Sequence, residues 1–278
     1  DYGLAKFDGV DWTDYVIPNG GFEQTLAVAT DTQGYVWCGT YGGGVSRFDG
    51  TEWTHYKTAN GLSDRKVRSI AFDEGEIKWF GTLKGISKFD GNTWTTIFPY
   101  RMINAIAIDN MGTKWFGTDY GVYEYDNSQW IWYSTSNSGL INDYVFSVAI
   151  DLQGNKWFGT RGGISKLDTA KWSNYINPEG GNKNHIHALS VDDKGHIWIG
   201  SDGGGLSEFD GTSFTDFTGS NGLIDDRVYS IAIDAQNNKW IGTYTGVSRF
   251  DGANWTSYTM NEGLSQPNVV AAAVDTKD

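Results

Sequence analysis

Cysteine, proline, histidine and positive charge are all scarce in this chain, and each shortage narrows what it can be. There is one cysteine in 278 residues. Cys38 therefore has no intrachain disulfide partner, and a disulfide-stapled scaffold is excluded. It stands where other parts of the chain carry Phe or Ile, so it reads as a buried filler rather than a nucleophile. Lys and Arg total 21 against 34 Asp and Glu, a formal net charge of −13. A nucleic-acid surface needs clustered basic side chains to displace counterions, and none is clustered here. An anionic membrane surface is disfavoured for the same reason. No run approaches the ~20 apolar residues of a membrane helix, so direct membrane insertion is not expected. Of the four histidines, His185 and His187 would share one face of a strand. Zinc takes three or four ligands, and the sequence offers no third His or Cys near them, so no metal site and no cofactor are expected.

What the chain has instead is aromatics and glycine: 13 Trp, 15 Tyr, 14 Phe and 37 Gly. They fall in a repeat. Trp-x-Gly-Thr/Ser begins at Trp37, Trp79, Trp115, Trp157, Trp198 and Trp240, in steps of 42, 36, 42, 41 and 42 residues. Each unit has four short pieces rich in aromatic and β-branched residues, as strands should be. In one unit they are a (Val67 to Asp73), b (Lys78 to Thr82), c (Gly85 to Asp90) and d (Trp94 to Ile97). Asp-x-x-Gly separates a from b, as at Asp31 to Gly34 and Asp109 to Gly112. Asp-Gly separates c from d, as at Asp49-Gly50 and Asp90-Gly91, with Asn127 and Thr169 in place of Gly in two units. Both are hairpin turn signals. The Asp residues ending piece a (Asp31, Asp73, Asp109, Asp151, Asp192, Asp234 and Asp275) recur in every unit, which suits a turn cap rather than a catalytic group.

Four antiparallel strands recurring at about forty residues indicate a propeller blade. The b-strand Trp and the d-strand aromatic (Trp12, Trp53, Trp94, Trp130, Trp172, Phe214 and Trp255) are expected to wedge between neighbouring sheets, leaving Trp132 as the odd tryptophan. Pieces a, c and d occur seven times and piece b six. The spacing predicts a seven-bladed all-β propeller of four-stranded antiparallel blades over residues 1–278. Its closing blade would combine c and d from the N-terminus with a (Val269 to Asp275) from the C-terminus, gapped where b is missing. No signal peptide pattern is present and the chain opens on a strand motif, so a leader has been removed or the sequence is an excerpt of a longer chain.

The stretch from Asn60-Gly61-Leu62 to Gly91 closely resembles the two-component regulator propeller repeat, and that from Asn221-Gly222-Leu223 to Gly252 nearly so. The resemblance implies the fold and a periplasmic or extracellular bacterial setting. In that family such propellers form the sensing part of hybrid histidine kinases, often polysaccharide-responsive, and also occur in secreted proteins without a kinase. It supplies no catalytic residues to carry over.

Positions that vary inside a constant frame are the candidates for function. The second residue of piece a reads Leu26, Arg68, Asn104, Phe146, His187, Tyr229 and Val270. With a innermost, these would ring one mouth of the central channel. The b–c loops add Tyr41, Lys84, Asp119, Tyr120, Arg161, Asp202 and Tyr244 on the same face. Aromatic platforms with polar forks suit a small polar ligand or oligosaccharide. The expectation is therefore a non-enzymatic, exported, ligand-sensing or carbohydrate-binding propeller. The alternative is a structural or protein-interaction module of a cell-surface or secreted assembly, whose partner is another protein chain. A third reading, a lyase with His187 as base and Arg68 as charge stabiliser, lacks a nucleophile–base–orienter set.

Overall fold

In the computed structural model, residues 3–18, 24–73, 75, 77–98 and 101–275 are described. Strand follows strand as the turn chemistry requires. Six sheets each contain four antiparallel strands in the order a-b-c-d. Their a strands are Thr25–Thr30, Val67–Phe72, Ile103–Ile108, Val145–Ile150, Ile186–Val191 and Val228–Ile233, which number blades 1 to 6. In blade 2, b is Lys78–Thr82, c is Gly85–Phe89 and d is Trp94–Ile97.

The molecule is an all-β propeller with six four-stranded blades, not seven. Gly3–Phe7 and Trp12–Val16, the terminal c and d pieces, form a separate two-stranded hairpin. Val269 to Asp275 belongs to no strand, so the expected closing blade does not assemble. The reason is the missing b piece: in every blade b carries the hydrogen bonds of both a and c, and without it a has nothing to pair with.

The hairpin nonetheless sits in the ring between blades 6 and 1. Phe7 packs on Trp240 and Tyr258 at 5.6 and 5.0 Å, and Tyr15 packs on Phe48 at 4.9 Å. The last contact repeats Tyr56 on Phe89 and Tyr175 on Phe209 between neighbouring blades. Lys6 also reaches Asp275 at 3.7 Å.

The cores lie between blades. Around Trp37, for example, Val45, Leu62, Val67, Phe80 and Phe89 are all buried. The Gly of Trp-x-Gly-Thr/Ser is required here. A methyl group on Gly39 would meet Val67 Cγ1 at 2.7 Å, and one on Gly81 would meet Ile103 Cγ2 at 2.7 Å, so only Gly lets b approach the next blade's a strand. The b-strand tryptophans are buried except for half-buried Trp240, and Trp132 is exposed.

The recurrent Asp does more than cap a turn. Its Oδ1 accepts backbone N–H bonds within the a–b turn, as Asp109 does from Met111 and Thr113 at 3.0 Å each. Its Oδ2 accepts the indole N–H of the same blade's Trp: Asp31 from Trp37 at 2.9 Å, Asp151 from Trp157 at 2.8 Å, Asp234 from Trp240 at 2.9 Å. The Lys opening the next blade's b strand then reaches back. Lys114 lies 3.4 Å from Asp73, Lys156 3.2 Å from Asp109 and Lys239 3.4 Å from Asp192. Each ammonium also lies over the clipped indole, 5.1 Å from Trp79, 5.1 Å from Trp115 and 4.7 Å from Trp198. Each such Asp therefore ties a turn, a core tryptophan and the adjacent blade together.

Candidate functional site

The a strands begin irregularly. In all six blades the a–b register slips between the first and third residues of a: Thr25/Ala27, Val67/Ser69, Ile103/Ala105, Val145/Ser147, Ile186/Ala188 and Val228/Ser230. Two residues there oppose one on b, so one is left out of the ladder. A β-bulge bends its strand and re-aims a side chain. The bulged residues are Leu26, Arg68, Asn104, Phe146, His187 and Tyr229, the variable set singled out from the sequence. Val270, the seventh, lies in the segment without a strand.

Several of these side chains meet those of the b–c loops. Asn104 donates from Nδ2 to Asp119 Oδ1 at 2.7 Å and to the Val145 carbonyl at 3.1 Å. Arg68 is pulled down by burial and held up by the charges of Asp119 and Tyr41. On the other side, Phe146 stacks on His187 at 5.2 Å and 23°. His187 in turn lies 6.3 Å from Tyr229. Burial, and then the neighbouring His185, push the His187 imidazole below the usual histidine range. Asp202 opposes that shift and Arg68, three blades away, adds to it. Burial, and then the Asp202 carboxylate, raise the Tyr229 phenol. Arg68 and His187 thus interact electrostatically across the ring.

The remaining residues lie further out, on partners of their own. Lys84 pairs with Asp64 at 3.5 Å. With Tyr41, Gly42, Thr58, Arg65 and Lys66 they line an open depression of about 480 Å³. Tyr120 lies under Arg101 at 5.1 Å, and Arg161 over Tyr144 at 5.8 Å. Tyr244 lies under Arg227 at 3.6 Å.

Sequence reasoning missed three residues one place before strand a, Lys66, Tyr144 and Arg227, and weighed the fourth, His185, only as half of a metal pair. They stand two residues from Arg68, Phe146, His187 and Tyr229, vary from blade to blade, and interact at the same rim. Lys66 lies 4.2 Å over Tyr41, His185 lies 4.8 Å from His187, and Arg227 forms a backbone bridge with Asp202. The signal was available, because the variability used at the bulge extends one strand period upstream.

Residues 180–203, one repeat running from the turn before strand a of blade 5 through its b strand, match the two component regulator propeller family model. This chain carries the two-component regulator propeller repeat. No curated protein matches it. Among solved structures, it is similar to the extracellular domain of a putative hybrid two component system from B. thetaiotaomicron. The identity is 26% and the TM-score 0.82, over 91% of this chain and 36% of that one. The chain thus spans about a third of that protein's length.

Two further likenesses show the fold alone. A catalytically inactive virginiamycin B lyase from Staphylococcus aureus, solved with quinupristin, is 14% identical at TM-score 0.75, covering 91% of this chain and 89% of that one. PorZ, a surface component of the type-IX secretion system of Porphyromonas gingivalis, is 18% identical at TM-score 0.72, covering 89% and 42%. Among the described residues no helix is long and apolar enough to cross a membrane.

Proposed function

We propose that this propeller is an exported bacterial sensing module that binds a small polar ligand, of the oligosaccharide class, across the bulged mouth, without catalysis. One observation carries the reading: every blade spends a bulge on presenting a different side chain to the same rim. Phe146 and Tyr229 offer flat apolar faces, and Arg68 and Asp202 offer polar groups beside them. This is the mixture that orients a ligand with both apolar and hydroxylated surfaces. The likeness to an extracellular sensor domain supports the sensing role and the exported setting. A glycan array probed with the wild type, Arg68→Ala and Tyr229→Ala tests it. Binding to a restricted glycan set, lost in both variants, is expected; no binding to any glycan, or binding unchanged in both, contradicts it.

A second reading, an interaction module of a surface assembly, is favoured by the hairpin. Among the described residues Gly3–Phe7 pairs with Trp12–Val16 alone, leaving its inner backbone edge open to another strand. Stable co-purification with a partner protein, together with an empty glycan array, would select it.

A further inference from the structure

We propose that His185, His187 and Asp202 form a binding site for one divalent first-row transition-metal ion at the channel mouth. The fold builds the trio from three places. His185 ends the turn before strand a of blade 5, His187 is that strand's bulged residue, and Asp202 follows the b strand. The Asp202 amide is tied back to the His185 carbonyl at 3.3 Å, which fixes the loop against the histidine pair. One ligand atom from each residue lies within 4.8 Å of the others. Donors around a four-coordinate ion at about 2.0–2.1 Å are separated by roughly 3.3 Å, a closure within reach of side-chain rotation.

A second observation points the same way. His187 Nε2 is shielded from solvent and has no hydrogen-bond partner. A buried polar atom left in that state demands an explanation, and a metal lone-pair acceptor supplies one. Two imidazoles and a carboxylate suit zinc, and equally cobalt or nickel, with at least one position open to an outside ligand.

The molecule contains its own comparison. Asp192, His196 and Glu208 are as close together. There, however, Asp192 already accepts from Trp198 and from the backbone amides of Lys194 and His196, and is paired with Lys239. His196 Nδ1 is committed to Glu208 at 2.6 Å. That trio is structural.

The inference does not rest on the glycan reading, since an ion can bind whether or not a sugar does. The test is titration of the chelator-stripped protein with Zn²⁺ by calorimetry and with Co²⁺ by visible absorption. Wild type is compared with His187→Ala, Asp202→Asn and His196→Ala, and circular dichroism verifies the fold of each. One equivalent is expected to bind, with a cobalt band of nitrogen–oxygen ligation. Affinity should fall at least about 100-fold in both His187→Ala and Asp202→Asn, beyond what loss of an outer partner causes, and stay unchanged in His196→Ala. Absence of stoichiometric binding overturns the proposal, as does binding that survives Asp202→Asn or is abolished by His196→Ala.

Discussion

The two ends of the same inner strand behave oppositely. At its end, all six blades with an a strand carry the same Asp, the same indole partner and, in several blades, the same lysine from the next blade. At its start, every blade carries the same bulge but a different side chain. The backbone irregularity is constant and its cargo is not. A ring of sheets needs identical wedges to close, so the buried end is held fixed. The bulged end lies outside the ladder and can change without opening the sheet. Sameness between repeats marks what stability needs, and difference within a constant backbone marks what stability leaves free to vary.

Acid should break the fixed end first and most. Despite burial, which raises them, the turn amides, indole and ammonium around Asp109 and Asp192 hold both carboxyls below the ordinary 3.8, and the turn and indole donors do so for Asp234. The native state therefore binds fewer protons than the unfolded chain near that pH. This stabilisation is complete above pH ~5 and is lost progressively as pH falls through 3.8 and on through the lower folded values. Urea midpoints constant from pH 7 to 5 and collapsing below 4 are expected.

A single clip should cost less, but still heavily. Asp192→Ala strands Lys239, whose side chain is 5% exposed, without its partner. A loss of about 3–5 kcal/mol in urea unfolding is expected, the range for breaking a buried pair from one side. Thr169→Gly should act in the opposite direction. Thr169 holds φ at 53° where five other c–d turns have Gly near 100° and one has Asn127 at 76°, so relieving it should stabilise by about 1 kcal/mol. Smallest of all, Arg68→Ala should change stability by less than about 0.5 kcal/mol, because the bulged side chain lies outside the ladder and belongs to no apolar core.

Most of the fold was legible because its signals are local. Lys78–Thr82, Gly85–Phe89 and Trp94–Ile97 begin where the repeat places them, and the Asp-Gly turns adopt the positive φ that Gly permits. Seven copies of c and d suggested seven blades. Pairing, however, is a property of neighbours, and without a b strand the terminal pieces could not join one sheet. The role of Asp109 as a cap was readable, but its grip on Trp115 and Lys156 was not, since the lysine comes from the next blade. Variability singled out Arg68, His187 and Tyr229, which the structure places at the bulges. The bulge that re-aims them depends on pairing with b, and Asp202 joins His185 and His187 only once the b–c loop folds back.

The division between the two ends is tested most directly by the double variant Arg68→Ala/Tyr229→Ala, measured for urea unfolding and glycan binding on the same sample. The account expects a midpoint close to wild type with binding abolished. A protein that unfolds several kcal/mol more easily, or one that still binds the wild-type glycans, would contradict it.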